Sequence, residues 1–544
     1  MKTFNFIQML GLLFCFSALT ACGATATSNE AGTRVGNPPT SSESTEAFPQ
    51  GLAITSPLET ATQAAESLSA TQYLTTADSP LYATSYSIAT DTIDAILNGD
   101  EISDCEFDPE AFIEQSDDAS CYGPTISYRN HPSAAFGDPS SGSLPPGDVG
   151  LWNENESDTG EACAAAELNA RMLGVQKKAQ AALQSLASMI CVANVNGIDL
   201  PESGESVDLT TEMNAMATSN GLDAEFTTAA LSLDDVDGNN AYSYALSFTT
   251  TINSNDIGLD LTMTHVLLSE DNTTYKGRFT YKFNNPLSLG TNCGMSSTET
   301  TDAGSVLYNL SSENALALRF DSGNYCTADA DAISGDGILD PEDSYNSTTN
   351  PDGWGNNYNV LIAELNPDTS EGNYSYSWQA GAMDDKARIF NISLTQTDDS
   401  ELALSGSSFF GFGDSVNASG FDGNIDGFIC NWAGPGNTHT PVAYVQRQDI
   451  DEDTVSGLFT SVADTLAISY APTTTCTYNG SGSFEYDSDA DSTIDTNPSL
   501  AVTNNLFSLD GSDTDSSTDD ADSNGVADKI EDLGYTAPTE PENF

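Results

Sequence analysis

The sequence predicts an α+β fold in which a small helical N-terminal part precedes a large antiparallel β-rich domain. Two changes in residue pattern carry this prediction. Apolar residues recur at helical spacing between Leu168 and Ile190, whereas after about Leu222 they alternate with Ser and Thr. The first pattern is typical of a helix and the second of strands with one buried face. The alternation favours a meander sheet, and a sandwich or a barrel-like arrangement remains open.

A long helix is predicted where the helical spacing is most regular. Asp158 and Glu161 match the N-cap and N3 positions of a capping box, so we expect the helix to begin there. The apolar positions that follow at helical spacing are Leu168, Met172, Val175, Ala179, Ala182, Leu183, Leu186 and Ile190. We expect this stripe to pack in the core rather than on a membrane. Two further stretches, 60–68 and 91–97, also have helical composition.

Strands are predicted where apolar and polar residues alternate. The predicted segments are 242–252, 259–267, 275–283, 316–320, 374–378, 388–395 and 402–404. Asn and Asp residues at 253–256 and 270–272 predict turns between the first of these strands. His265 falls on the apolar face, where a buried histidine with satisfied hydrogen bonds is a better interpretation than a ligand.

Charge excludes several classes of partner. The 544-residue chain has 81 Asp and Glu against 14 Lys and Arg, which gives a formal net charge of −67. Nucleic acid is excluded as a partner, because the chain has few cations with which to neutralise phosphates. A polybasic contact with anionic lipid is excluded for the same reason. Hydrophobic residues nevertheless make up 38% of the chain, enough to form a core.

The N-terminus has the pattern of a bacterial lipoprotein signal. Lys2 precedes an apolar run over 4–18. This run of about 15 residues is shorter than the ~20 residues that cross a membrane as a helix. The sequence that follows, Leu-Thr-Ala-Cys-Gly at 19–23, resembles the lipobox of bacterial lipoproteins. An ordinary secretory signal cut at a small residue is the alternative.

The lipobox resemblance implies a covalent membrane anchor. It implies a diacylglyceryl group on Cys22, cleavage before this residue and acylation of the new N-terminus. In that family an Asp after the cysteine favours retention in the inner membrane. Gly23 stands there in this chain, so the resemblance implies the outer membrane, facing either the periplasm or the cell surface. Two or three acyl chains anchor a protein stably.

The remaining cysteines are candidates for disulfides. Cys15 leaves with the signal peptide and Cys22 takes the lipid, which leaves Cys105, Cys121, Cys163, Cys191, Cys293, Cys326, Cys430 and Cys476. An even number of cysteines in an exported chain favours disulfides. Pairing of sequence neighbours closes the shortest loops, which predicts Cys105–Cys121, Cys163–Cys191, Cys293–Cys326 and Cys430–Cys476. Buried thiols are the alternative. No pair has the spacing of a zinc site.

Composition divides the chain into five parts. Residues 1–21 form the predicted signal peptide, and residues 22–50 form a lipidated flexible tether rich in Ser, Thr, Gly and Pro. Residues 51–200 form a helical and loop region, and residues 201–507 form the antiparallel β-rich domain. Residues 508–544 form an acidic tail that includes a candidate calcium loop.

The candidate calcium loop spans 520–531. Side-chain oxygens at loop positions 1, 3, 5, 9 and 12, a main-chain carbonyl at 7 and Gly at 6 suit Ca²⁺. The ligands would be Asp520, Asp522, Asn524, Val526, Asp528 and Glu531. The loop resembles those of EF-hands and thrombospondin type 3 repeats, although Ala527 replaces a larger aliphatic residue. Weaker candidates share part of this spacing: Asp487, Asp489, Asp491 and Asp495. An acidic tail without metal is the alternative.

Two classes of function remain open from the sequence. The favoured class is an outer-membrane lipoprotein with a structural or binding role and bound calcium, whose partner in the envelope would be a protein or a glycan. The other class is a secreted-type hydrolase that uses two carboxylates on a β scaffold, for example on glycans. Nucleophile-elbow, zinc-helix and Walker A motifs are absent from the sequence. The sequence therefore favours a protein that is not an enzyme, and nominates no catalytic residue.

Overall fold

The structure is a computed structural model, and it describes only part of the chain. The residues that it describes are 48–49, 93–113, 162–269, 273–285, 300–312, 314–325, 357–367, 369–380, 386–396, 404–413, 445–453, 458–465, 467–469, 475–478, 484–487 and 530–541. The predicted helix at 60–68 and the predicted turn at 270–272 lie outside these residues.

Helices occupy the N-terminal side of the described chain. Residues 93–97 are helical, a 3₁₀ turn spans Ile102–Asp104, and two longer helices follow, α1 (Cys163–Val195) and α2 (Thr210–Asn220). The predicted long helix is thus confirmed. Its predicted cap is wrong, since the N-cap residue is Ala162.

The start of α1 is set by a tertiary contact rather than by a side-chain cap. The main-chain N–H of Ala162 donates to the carbonyl of Phe459 at 2.8 Å. This hydrogen bond holds the residue before the helix against a distant strand, and the helix begins directly after it. The second helix, α2, ends at Gly221. This glycine has a φ of 68°, the left-handed conformation in which many helices end.

The rest of the described chain is mostly strands. They are β1 Glu205–Asp208, β2 Ala224–Val236, β3 Asn239–Ile252, β4 Asn255–Leu267, β5 Tyr275–Asn285, β6 Thr300–Ser312, β7 Ala315–Tyr325, β8 Asn357–Leu365, β9 Gly372–Ala380, β10 Lys386–Gln396, β11 Leu404–Gly413, β12 Val445–Asp453, β13 Leu458–Ser461, β14 Ala467–Ser469, β15 Thr475–Tyr478 and β16 Phe484–Asp487.

Fourteen of these strands form one large antiparallel sheet. Strands β1 to β13 lie in chain order, β14 pairs with β12, and β15 and β16 form a separate pair. The strand order is that of a meander, so the predicted α+β class is confirmed. The predicted turn between β3 and β4 is also confirmed, because Asn253 and Ser254 both have positive φ. Predicted segment 402–404 only reaches the first residue of β11, whereas β2, β6 and β8 were not predicted as strands.

One face of the sheet, here called the inner face, packs against α1 and residues 93–113. All eight residues of the predicted apolar stripe are buried, which confirms their core position. The ring of Phe107 contacts Phe226 and Phe248, with centroids 5.1 and 5.2 Å apart. From α1, the ammonium of Lys178 lies 5.2 Å from the ring centroid of Tyr281, and the guanidinium of Arg171 lies 5.1 Å from that of Tyr376. The helix therefore contacts strands far apart in the sheet.

A disulfide links residues 93–113 to α1, and these two parts are here called the inner layer. It shows that part of the predicted cysteine pairing is wrong. Cys105 bonds to Cys191 of α1, and both residues are buried. The predicted pairs Cys105–Cys121 and Cys163–Cys191 are therefore wrong. Loop length favoured neighbours, but the fold brings residues 86 positions apart within bonding distance, because 93–113 lies beside the end of α1. The predicted pairs Cys293–Cys326 and Cys430–Cys476 involve side chains outside the described part.

The opposite, outer face differs along the sheet. In β3 the outward residues Ser243, Ala245 and Ser247 are only partly buried, as expected for a face in contact with water. In β6 both faces are buried over 303–308, whereas in β7 buried and partly buried residues alternate over 315–320. The buried residues of β6 include outward Leu307 as well as inward Tyr308, and both faces are also buried in stretches of β8 to β11.

Candidate functional site

Most residues of the predicted sites lie outside the described chain. Cys22 is one of them, and so are Asp520, Asp522, Asn524, Val526 and Asp528. From the candidate calcium loop only its last ligand, Glu531, is described; it is exposed on a short helical turn. Of the weaker candidates, Asp487 ends β16, and Asp489, Asp491 and Asp495 are not described.

The chain around Glu531 is packed on the sheet. Ile530 is fully buried and Tyr535 nearly so, and both belong to the main hydrophobic cluster. The Tyr535 ring lies 5.2 Å from that of Phe409, and its hydroxyl donates to the carbonyl of Tyr374 at 3.0 Å. Residues 530–541, here called the C-terminal segment, therefore cover part of the outer face over β9 and β11.

Ion pairs extend this contact along the C-terminal segment. Arg319 of β7 donates to both carboxylate oxygens of Asp321, at 2.8 and 3.1 Å, and to Glu540 at 2.8 Å. The Asp321 side chain is completely buried. A buried carboxylate needs such a partner, since an unpaired charge in the interior is costly. The main-chain N–H of Thr539 also donates to Glu364 at 2.9 Å.

The histidine on the apolar face is confirmed as a buried, hydrogen-bonded residue. His265 is fully buried, its Nδ1 lies 3.2 Å from the hydroxyl of Tyr308, and its ring lies 5.0 Å from that of Tyr275. Gly277 lies between them on β5, and a side chain there would occupy the space of the Tyr308 ring. Burial raises the pKa of Tyr308 well above its ordinary value, so the hydroxyl stays protonated.

An open groove of about 270 Å³ lies on the outer face of β2 to β5. It is lined by Thr227, Ser247, Phe248, Thr249, Gly258, Leu259, Asp260, Lys282 and Asn284. Thr227 is the extra residue of a β-bulge between β2 and β3, and bulges often re-aim side chains next to binding sites. No motif in the sequence predicts this groove. Its residues are polar positions of ordinary strands, and the bulge that shapes its wall has no clear sequence signal.

Two features are not found within the described ranges. These residues contain no group of three or more His, Cys, Asp or Glu side chains arranged to hold a metal ion. Nor does any helix among them combine the length and the apolar character that a membrane crossing requires.

Comparisons with known proteins give no relative. No protein-family model, curated protein or solved structure matches this chain.

Proposed function

We propose that the protein is a lipid-anchored protein of the bacterial outer membrane with a structural or binding role. The Cys105–Cys191 disulfide carries this proposal. Disulfides form and persist in exported proteins and are rare in the cytosol. The bridge therefore agrees with the export signal that precedes Cys22. The two features are independent, because one is a short N-terminal motif and the other is a contact in the folded body.

The anchor is tested by removing the acylated side chain. Cys22→Ser should abolish labelling by a palmitate analogue and move the protein from the membrane fraction to the soluble fraction, since acyl chains supply the membrane affinity. Ser28→Ala changes a residue of the predicted tether outside the lipobox and keeps the cysteine, and so serves as the control. Continued labelling of the Cys22→Ser variant, or its retention in membranes at the wild-type level, would contradict the anchor.

Calcium binding at 520–531 is the second part of the proposal. Four of its ligands are carboxylates, which repel one another without a cation. Burial of Ile530 and Tyr535 supports the proposal, because these side chains fix the chain on both sides of Glu531 to a rigid sheet. A loop with one end held in place loses less conformational entropy when it closes around an ion.

The calcium proposal is tested by titration of the full-length protein. The wild-type protein should bind Ca²⁺ with a Kd of roughly 10⁻⁴–10⁻³ M, the range of extracellular modules. Asp520→Asn with Asp522→Asn should remove one binding event. Asp513→Asn with Asp515→Asn makes the same change in charge outside the loop and should leave that event intact. Equal losses in both variants would show that calcium is attracted by general acidity alone.

A further inference from the structure

The outer groove has a mixed set of hydrogen-bonding groups. Asp260 and Lys282 are paired across β4 and β5, with Lys282 Nζ 3.9 Å from Asp260 Oδ2. This separation is an ion pair but is too long for a direct hydrogen bond. The Asp260 side chain is 56% exposed and that of Lys282 is 14% exposed. The Asp260 side chain is therefore the more exposed of the two, and most of the Lys282 side chain is buried in the wall.

The floor of the groove is formed at a glycine, where no side chain fills the space. Gly258 stands between Thr249 and Asn284, and a Cβ there would lie 3.6 Å from Asn284 Oδ1 and 4.0 Å from Thr249 Cγ2. Asn284 Oδ1 accepts the N–H of Gly258 at 2.6 Å, and its Nδ2 donates to the carbonyl of Asp256 at 3.3 Å. These bonds hold the amide in place beside the floor.

The chemistry of the groove matches adjacent hydroxyl groups. A hydroxyl both donates and accepts, so neighbouring hydroxyls can donate to Asp260 and accept from Lys282. An ammonium has three N–H groups and can serve a ligand oxygen alongside another acceptor. Thr227, Ser247 and Thr249 add hydroxyls on the opposite wall.

The charges of the groove and of the whole chain favour neutral ligands over charged ones. Asp260 and Lys282 have opposite charges, so the groove itself is close to neutral, whereas the chain has a net charge of −67. Anionic ligands are repelled by the whole protein, and cations are attracted to acidic groups everywhere on its surface. A neutral ligand with several hydroxyls is the class for which this groove offers a specific advantage.

We propose that the outer groove binds a neutral glycan. The inference rests on the binding role proposed above and deepens it by naming a ligand class. A volume of about 270 Å³ is slightly below the ~300–1,000 Å³ typical of sites for drug-sized ligands, which suits one sugar ring at the end or side of a longer chain.

Binding is measured by saturation-transfer NMR, in which saturation passes from the full-length protein to a bound probe. The three probes, each at millimolar concentration, are maltose, cellobiose and N,N′-diacetylchitobiose. At least one should receive saturation and give a measurable affinity. Gly258→Val fills the floor with a β-branched residue that strands accept, and Asp260→Asn removes a charged acceptor. Asp260→Asn should weaken binding by at least about tenfold, the effect of losing one charged hydrogen-bond partner. Gly258→Val should weaken it at least as much, because the added side chain occupies space that the ligand needs.

Thr262→Val is the matched control, because Thr262 lies on the outer face of the same strand but outside the groove. The affinity of this variant for the probes should stay within about twofold of wild type. No transfer to any of the three probes, or equal affinity in the Gly258→Val variant, would overturn the proposal. Retention in membranes and calcium titration are measured separately on the same protein. Failure of the glycan site is therefore distinguishable from failure of the anchor or of the calcium loop.

Discussion

Strands β2 to β5 and strands β6 to β12 belong to one sheet but are covered differently. In β3, buried and partly buried residues alternate, and the outward side chains are mainly Ser and Thr. In β6, residues 303–308 are all buried. The half formed by β2 to β5 thus has a single packed face, whereas in the other half parts of β6 and of β8 to β11 are packed on both faces.

The difference shows how the end of the chain contributes to the fold. A row of directly paired residues crosses the outer face, and paired residues in an antiparallel sheet share a face. The row runs through Leu307, Arg319, Ile362, Ser375, Asn391, Phe409 and Arg447. The C-terminal segment reaches this row at Arg319, at Phe409 and at Arg447, which donates to the carbonyl of Leu533 at 3.5 Å. The groove lies in the other half, among strands β2 to β5.

Removing Tyr535 should produce the largest change in stability. Tyr535→Ala deletes a buried ring that packs on Phe409 and should lower the free energy of unfolding by about 3–5 kcal/mol. Tyr535→Phe loses only the hydrogen bond to Tyr374 and should cost about 1 kcal/mol. Denaturant unfolding followed by circular dichroism measures both. A Tyr535→Ala variant as stable as wild type would show that the C-terminal segment adds nothing to the sheet.

Removing the disulfide should have the next largest effect, on the inner layer. Cys105→Ser with Cys191→Ser should lower the free energy of unfolding by about 2–4 kcal/mol, because the bridge restricts the unfolded chain. Thermal unfolding of the double variant and of wild type is the measurement. Peptide mapping without reduction supplies the independent check, and a Cys105–Cys121 peptide there would contradict the fold around α1.

Glu452 of β12 should give a smaller, pH-dependent effect. Burial raises the pKa of Glu452 above its ordinary value, although a hydrogen bond from the Leu404 N–H acts in the opposite direction. The folded protein therefore holds this proton to higher pH than the unfolded chain. Its contribution to stability is complete below about pH 4.5 and is lost as the pH rises through the folded pKa.

Glu452→Gln keeps an acceptor for Leu404 and removes the titration. Relative to wild type, the Glu452→Gln variant should gain stability as the pH rises from about 4 to 7. Denaturation midpoints at both pH values measure this change. A difference that stays constant or shrinks with pH would contradict the raised pKa.

Substitutions on the single-faced half should matter least. Thr262 on the outer face of β4 is exposed and its hydroxyl lies 2.6 Å from that of Thr280. Thr262→Ala should change the free energy of unfolding by no more than about 0.5 kcal/mol. Urea titration is sufficient to detect a larger value, which would show that this face is also covered.

The same contrast explains what the sequence could predict. Strands β3, β4 and β5 are predicted because one wet face leaves an alternating pattern, and the same kind of pattern predicts parts of β7, β9 and β10 in the other half. The pattern is lost in β6, where Ala303, Gly304 and Ser305 are all buried, since two packed faces remove the polar positions. Contacts between distant parts of the chain could not be predicted for another reason. The hydrogen bond from Tyr535 to Tyr374 joins residues 161 positions apart, and the disulfide between Cys105 and Cys191 joins residues 86 positions apart. Local spacing has no information about such contacts.

Hydrogen exchange in the Tyr535→Ala variant tests most directly whether the C-terminal segment forms the second layer over one half of the sheet. Amide exchange is measured by mass spectrometry in wild type and variant under native conditions. The account predicts faster exchange in peptides from β8 to β11, with peptides from β3 and β4 unchanged. Equal acceleration in both halves, or no acceleration in β8 to β11, would contradict it.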